Sequence, residues 1–483
     1  MKSWDHAIVL PEGPGPIFLR IAQAIVEDIR RGRLRAGDPL PGYRTLAEQL
    51  KVSRNTALAA YHELLAEGWI HTQAGGGTFI SDRPLGPSAP LPGVGPKGLG
   101  FALEGVAGPA DGPPVPGVHL AAASGVPDPR LLPMTALTRA YRHALENLAQ
   151  RPLGAADPKG QIRLRRALAG MLGSLRGLAA GPEELLVTRG SQMAIFLLAQ
   201  ALVRPGDRVA VEELGRRRVA EAFASCGASL VPLPVDAEGL SVEALEAELA
   251  KGPLRAVYLT PQHQYPTTVT LSEGRRARLL ALAEQHRIAL IEHDFDAEFH
   301  YDGPPVLPLA SQDHAGTVIY VGSFSKIFSP TVRLGFVAGP KALVDRLAQL
   351  RVTVDSQGDP ALELAMAELL EEGELQRHHQ RMRQIYLARR NAFADVLRRT
   401  LGEAVTFEVP TGGMAFWLRT APGIDVPAWS ARALARGVTF RPGRDFHLTG
   451  SDLPHLRLGF SSIGEADVEE LVRRMKAALE TGV

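Results

Sequence analysis

Thr317-Val318-Ile319-Tyr320-Val321-Gly322-Ser323-Phe324-Ser325-Lys326 is followed, seven residues on, by Arg333. The run Thr317 to Val321 reads as a buried strand. Two hydroxyls, a lysine and an arginine then cluster at its exit. Such a set holds a phosphate by hydrogen bonds and charge while offering an amine to a carbonyl. A pyridoxal phosphate (PLP) site asks for both, a Schiff-base lysine and an anchored phosphate. A polar loop with a solvated lysine would look the same in isolation, so the surrounding chain decides.

Outward from that stretch, strands alternate with helices from residue 118 on, the pattern of an α/β domain. Leu185–Thr188, Asp207–Val211, Ala228–Val231, Ala256–Thr260 and Ile288–Glu292 are short apolar runs expected as strands. Gly160 to Leu172 is expected as a helix, as is the segment after Arg189-Gly190-Ser191-Gln192, whose first N–H groups suit a phosphate. From Asp359 the chain turns helical and charged. It ends in a smaller α+β piece with strands at Val405–Val409, Met414–Leu418 and Leu456–Phe460.

Upstream lies a different unit. Ile17, Ile21, Ile25 and Ile29 form a helical stripe within Pro16–Arg31. Thr45–Leu50 reads as a second helix with Thr45 as N-cap, and Ser53 or Asn55 caps a third running to about Glu67. Gly68–Ser81 reads as a hairpin with glycines at its tip, Gly75 to Gly77. Three helices and a hairpin make a winged helix-turn-helix. Its third helix would put Ser53, Arg54, Asn55 and Thr56 at base edges, with Arg44 beside them and Gly76 and Gly77 letting the wing approach the backbone. Residues 1–81 carry nine basic and eight acidic side chains. DNA binding therefore rests on local clusters, Arg30/Arg31/Arg33/Arg35 and Lys51/Arg54. Tyr61 reads as core.

With 483 residues the chain exceeds one ordinary domain, and 45% hydrophobic with 22% charged residues is a soluble globular composition. Its net charge of +1 excludes a globally basic coat. The single cysteine, Cys226, excludes an internal disulfide framework and fits a reducing cytosol. No signal pattern or membrane-length apolar run is present, so a cytoplasmic protein is expected, bound to the nucleoid when on its operator. No metal site is expected. Glycine and proline, 49 and 37 in all, concentrate in 82–117, an expected linker. The domain plan is 12–81, then that linker, then 118–483, with the small C-terminal part from about 360.

Residues 16–81 resemble the GntR-type winged-helix domain. Leu40-Pro41-Gly42-Tyr43-Arg44-Thr45-Leu46-Ala47, Val52-Ser53-Arg54-Asn55-Thr56, Tyr61-His62-Glu63-Leu64, Glu67-Gly68-Trp69-Ile70 and Gly76-Gly77-Thr78-Phe79 carry the likeness. The second unit resembles the fold-type I aminotransferases, through Asp157-Pro158-Lys159-Gly160, Gly190-Ser191-Gln192, Thr260–Thr267, Glu292–Phe299, Ser323–Lys326 with Arg333, and Arg457-Leu458-Gly459-Phe460. As a whole the chain resembles the MocR family of bacterial regulators. The resemblance implies a large α/β domain with a mixed seven-stranded sheet, a small α+β domain and a head-to-tail homodimer. It implies PLP on Lys326, its phosphate held by Gly190, Ser191, Gln192, Ser323, Ser325 and Arg333. Tyr265, His293 and Phe295 would lie about the ring, and Arg457 would take a ligand carboxylate.

Three positions depart from the pattern. Where the family has Glu-Asp-Asp-Tyr, this chain has Glu292-His293-Asp294-Phe295, so His293 stands in the place of the pyridine-nitrogen aspartate. Strand alternation puts His293 and Phe295 on one face and Asp294 on the other. Phe295 has no hydroxyl for the ring, and Arg216 replaces the ring-stacking tyrosine. Thr268 replaces a glycine, and Ala155-Ala156 precede Asp157-Pro158. A carboxylate at the pyridine nitrogen keeps the ring an electron sink. Without it the leading expectation is a DNA-binding regulator that senses PLP, or an amine or amino acid through PLP. An active aminotransferase with an accessory DNA-binding domain, and a regulator that no longer binds PLP, are the alternatives. Amino-acid turnover separates the first two, and an absorbance spectrum tests the third.

Overall fold

Isoleucine at every fourth position makes one face of the first helix apolar, and that face builds the core of the N-terminal unit. The structure, a computed structural model, describes residues 8–10, 15–73, 77–82, 120–122, 125–150 and 157–480. Gly76, Ala155-Ala156 and the linker beyond Asp82 lie outside them. The chain divides into two units, Met1–Ala107 and Gly108–Val483.

In the first, α1 (Ile17–Arg30) buries Ile21 and Ile25 completely, while Ile17 at its first position is exposed. β1 (Pro39–Leu40) precedes α2 (Tyr43–Gln49), which starts two residues before the expected cap. Extended Gly42 is the N-cap, and Thr45 lies inside the first turn. α3 (Arg54–Ala66) is capped by Ser53, whose Oγ accepts from the Thr56 N–H at 3.1 Å. Tyr61 is buried and donates to the Pro41 carbonyl, so it belongs to the core. β2 (Ile70–Gln73) and β3 (Gly77–Ile80) pair antiparallel, with β1 on the other side of β3.

In the second unit β4 (Leu120–Ala121), α4 (Met134–Ala149) and α5 (Ile162–Arg176) come first. Then come β5 (Leu185–Thr188), α6 (Ser191–Leu202), β6 (Arg208–Glu212), α7 (Arg217–Ala224) and β7 (Ser229–Leu233). The ribbon β8 (Val235–Asp236) and β9 (Gly239–Leu240) leads to α8 (Val242–Lys251), β10 (Ala256–Leu259), α9 (Glu273–His286), β11 (Ala289–His293), β12 (Val318–Ser323) and β13 (Gly335–Ala338). Three helices follow, α10 (Lys341–Val354), α11 (Pro360–Glu371) and α12 (Glu374–Leu401). The chain closes with β14 (Val405–Thr406), β15 (Ala415–Thr420), α13 (Val426–Leu434), β16 (Val438–Thr439), β17 (Arg441–Pro442), β18 (His455–Gly459) and α14 (Glu465–Glu480).

Seven strands form one sheet in the order β5-β13-β12-β11-β10-β6-β7. β13 alone among them runs antiparallel to its neighbours. Alternate residues serve opposite faces: Val209, Val211, Ile291 and Val321 pack with α6, α7 and α10, while Val257, Leu259 and Leu290 pack with α8 and α9. Burial on both faces is why these strands read as continuous apolar runs. Each Val, Leu or Ile so buried contributes about 1.5–3 kcal/mol. The expected small piece from about 360 divides: α11 packs with α4 and α5. A separate core around Trp429, Phe393 and Phe416 takes residues from Met382 on, joined by Leu120 and Ala122. No helix among the described residues is long and apolar enough to cross a membrane.

One sequence departure has a backbone consequence. Thr268 takes φ +67°, the left-handed region, with its N–H donating to Gln264 O at 2.7 Å. A β-branched residue there is disfavoured by about 1–2 kcal/mol, and glycine gives back about half of that through its freer unfolded state. Thr268→Gly is expected to raise stability, read from the urea midpoint, by about 1 kcal/mol. A lowered midpoint would show that the threonine side chain contributes more than its backbone costs.

Candidate functional site

The loop after β12 is closed by the Phe324 N–H donating to Leu334 O at 3.0 Å, and Phe324 and Phe328 are buried beneath it. These apolar anchors turn Ser323, Ser325 and Lys326 toward one cavity of about 820 Å³ at the carboxyl ends of the strands. That crevice is where open α/β sheets bind ligands. Lys326 is 5% exposed, and its Nζ donates to the Gly125 carbonyl at 2.7 Å. Burial first, then the Arg216 charge, pushes its amine down to about 7, with Arg457 adding to the effect and Asp296 opposing it.

Arg333 closes the other end of the cradle. Its Nη2 donates to Arg189 O at 3.0 Å, which lays the guanidinium over Gly190. A Cβ at Gly190 would stand 3.3 Å from that group, so glycine is required there, as its φ of +79° also asks. Gly190 is the N-cap of α6 and offers no side chain. The first N–H groups of the helix therefore remain for an anion, and the helix dipole favours one. Ser191, Gln192, Ser323, Ser325 and Arg333 all line the cavity. The Gln192 amide is also used at the start of α7, donating to Arg218 O at 3.0 Å.

On the ring side the strand alternation decides which residue faces where. His293 continues the face of Ile291, and its Nδ1 lies 2.7 Å from the Tyr258 hydroxyl. It is 1% exposed and packs edge-on against Phe295, one layer behind the cavity wall. Burial first, then Arg216 and Lys326, push its imidazole down to about 3. Asp294 points the other way, to the Tyr320 hydroxyl and to Arg176 at 3.3 Å. Phe295 and Tyr265 line the cavity and meet edge to face at 4.9 Å. Arg216 lies 4.5 Å above the Phe295 ring centre and 5.1 Å from that of Tyr265. Arg457 is buried on β18 with its guanidinium 4.7 Å from the Tyr265 ring.

In the N-terminal unit Ser53, Arg54, Asn55 and Arg44 are exposed and Thr56 half-buried at the start of α3 and α2. Gly77 opens β3, past the wing tip. Two arginines of the expected cluster have acidic partners, Arg31 with Glu27 and Arg33 with Asp28, while Arg30 lies 5.4 Å from the Trp69 ring. Arg54 and Lys51 have no ion pair among the described residues.

Residues 18–80 match the family described as bacterial regulatory proteins, gntR family, and residues 125–475 match aminotransferase class I and II. The probable rhizopine catabolism regulatory protein MocR of Rhizobium meliloti is 31% identical over 96% of this chain and 94% of its own. This chain belongs to the GntR family of regulators, in its MocR-type form. The transcriptional regulator TauR of Rhodobacter capsulatus is also 31% identical, over 98% of this chain and 99% of its own. Among solved structures, the α-aminoadipate aminotransferase LysN of Thermus thermophilus, complexed with N-(5'-phosphopyridoxyl)-L-leucine, is 29% identical. It has a TM-score of 0.70 over 76% of this chain and 93% of that one.

Two features of this MocR-type site were not legible beforehand. The Gly125 carbonyl that holds Lys326 is backbone and leaves no residue signature. Glu212 is buried and accepts from the Thr260 N–H at 3.1 Å and hydroxyl at 2.8 Å, and that hydroxyl in turn accepts from the Tyr265 N–H at 3.0 Å. An acid closing an apolar strand was the available signal.

Proposed function

We propose that this MocR-type chain is a DNA-binding transcription regulator whose aminotransferase-like unit senses PLP, or an amine or amino acid held through PLP at Lys326. The residues fit the cofactor. A buried amine, an uncapped helix start, two serines and an arginine surround one cavity, and Gly190 leaves the space a side chain would fill. When bound, PLP supplies a reactive aldehyde and an electron-withdrawing ring. Lys326 offers the amine, Ser191, Gln192, Ser323, Ser325 and Arg333 hold the phosphate, Tyr265 and Phe295 border the ring, and Arg457 takes a carboxylate.

The observation that carries a sensing role is His293. The Tyr258 hydroxyl lies 2.7 Å from Nδ1, and with that hydroxyl as donor the imidazole hydrogen would sit on Nε2. Such an imidazole can donate one hydrogen bond to a pyridine nitrogen, but near neutral pH it has no charge with which to hold a proton there. Asp294, the carboxylate that follows it, is committed to Arg176 and Tyr320 on the opposite face. Binding is kept while proton-transfer chemistry is weakened, and that combination suits a receptor. A head-to-tail homodimer belongs to the same reading. Light scattering at the mass of one chain would sink that part.

For the DNA-binding unit, Arg54→Ala and Arg44→Ala are each expected to weaken operator binding by about 1–3 kcal/mol, with relaxed preference at any base position contacted. Gel-shift titrations of the full chain, with and without PLP, measure this. Unchanged affinity in both variants would remove the recognition assignment. Operator affinity indifferent to PLP and to amino acids would remove the sensor.

A further inference from the structure

Among the described residues six cationic ones line the cavity, Arg216, Arg217, Arg218, Lys326, Arg333 and Arg441, against one acid, Asp445. Arg457 lies just behind them. Three successive arginines at the start of α7 sit at the end of a helix where the dipole disfavours cations. The strands add a second unfavourable placement. Arg441 on β17 and Arg457 on β18 are direct cross-strand partners, so their side chains leave on the same face. Like charges directly opposite one another destabilise an antiparallel pair.

Aromatic rings support these charges. Tyr265 and Phe446 meet at 5.5 Å, Phe446 and Trp417 at 5.8 Å. Arg457 and Arg216 lie 4.7 and 5.1 Å from the Tyr265 ring centre, and Arg441 lies 4.8 Å from that of Phe446. Ring faces attract guanidinium groups without neutralising them. Asp445 reaches Arg441 at 3.5 Å, and the buried acid Asp296 opposes the like charges around Arg457. The charges of Arg216 and Arg441 both bear on buried Arg457.

We propose that the ligand read at this site is an amino acid with a second acidic group on its side chain, its two acids shared among Arg216, Arg441 and Arg457. The proposal rests on the sensor reading above and names its ligand class. The balance of charge supports two acids. A PLP phosphate would be matched by Arg333, the two serines and the start of α6. A single carboxylate forms one bidentate contact with a planar guanidinium, and the like charges around it still outnumber the anions. A second acid placed between the arginines removes the cross-strand repulsion and restores the balance at the start of α7.

The test is thermal unfolding of the full chain, with and without PLP, against L-glutamate and L-2-aminoadipate and their uncharged counterparts L-glutamine and L-norleucine. At equal concentration the diacids are expected to raise the midpoint, with half-saturation at least about tenfold lower than for the uncharged compounds. Arg441→Gln is expected to collapse that ratio toward one, and Arg441→Lys, which keeps the charge without the fork, to retain part of it. Equal responses to glutamate and glutamine in the wild-type chain would overturn the proposal, as would a ratio that survives Arg441→Gln and Arg216→Gln together. Diacid preference in a chain that never acquires a visible PLP band would sink the cofactor reading alone and leave the acid-recognising site standing.

Discussion

Replacing Lys326 by alanine is expected to abolish the visible band, at about 410–430 nm, that the wild-type chain acquires with PLP. The effect should be complete, because the band requires a bond between the aldehyde carbon and an amine, and among the described residues no other lysine lines the cavity. The wild-type reaction should also carry the imprint of its surroundings. An ordinary lysine is almost wholly protonated at pH 7. Lys326, pushed down to about 7 by burial and by Arg216, is neutral in most molecules at pH 8. The rate of band formation is therefore expected to be nearly flat above pH 7 and to fall roughly tenfold per unit below it. Arg216→Gln removes the second largest influence and should move that break to higher pH. A Lys326→Ala protein that still develops the band would place the reactive amine elsewhere.

The second large effect concerns Arg457. Arg457→Ala is expected to weaken binding of any carboxylate ligand by about 3 kcal/mol, on the order of a hundredfold. The side chain is 2% exposed and is braced by the Tyr265 ring, so its fork is already oriented and little freedom is lost on binding. Arg457→Lys keeps the charge but not the paired donors, and should recover only part of the loss. Ligands without a carboxylate supply the control, since their affinity should change little. The measurement is the ligand titration followed through the midpoint of unfolding. A carboxylate ligand that binds Arg457→Ala as tightly as wild type would send the acid group to another arginine.

Much of this arrangement was written in the chain. Leu185–Thr188, Ala256–Thr260 and Thr317–Val321 stood out because strands buried on both faces need apolar residues throughout. The lysine, the serines and Arg333 were legible because they sit within a dozen residues of one another. Strand alternation put His293 and Phe295 on one face and Asp294 on the other, but left open which of His293 and Asp294 would face the ring. The start of α2 was missed because Gly42 caps it by backbone geometry alone, so the nearest hydroxyl, Thr45, misled. The strand expected over Val405–Val409 shortens to Val405–Thr406, where pairing with β15 stops. The facing of Arg441 and Arg457 was beyond a sequence reading, since it depends on the register between β17 and β18. The pairing of Arg31 with Glu27 and of Arg33 with Asp28 was not foreseen because the acids were counted in bulk rather than by position.

The bond from Lys326 to Gly125 carries one more implication. Gly125 lies a few residues past the end of the linker, beside Ala122, whose carbonyl accepts from Gly459 N–H at 2.6 Å on the strand that bears Arg457. An amine that has condensed with an aldehyde no longer has the same hydrogens to offer that carbonyl. Were PLP to condense at Lys326, the first contact to change would be the one at Gly125, in the stretch that Ala122 ties to the strand bearing Arg457.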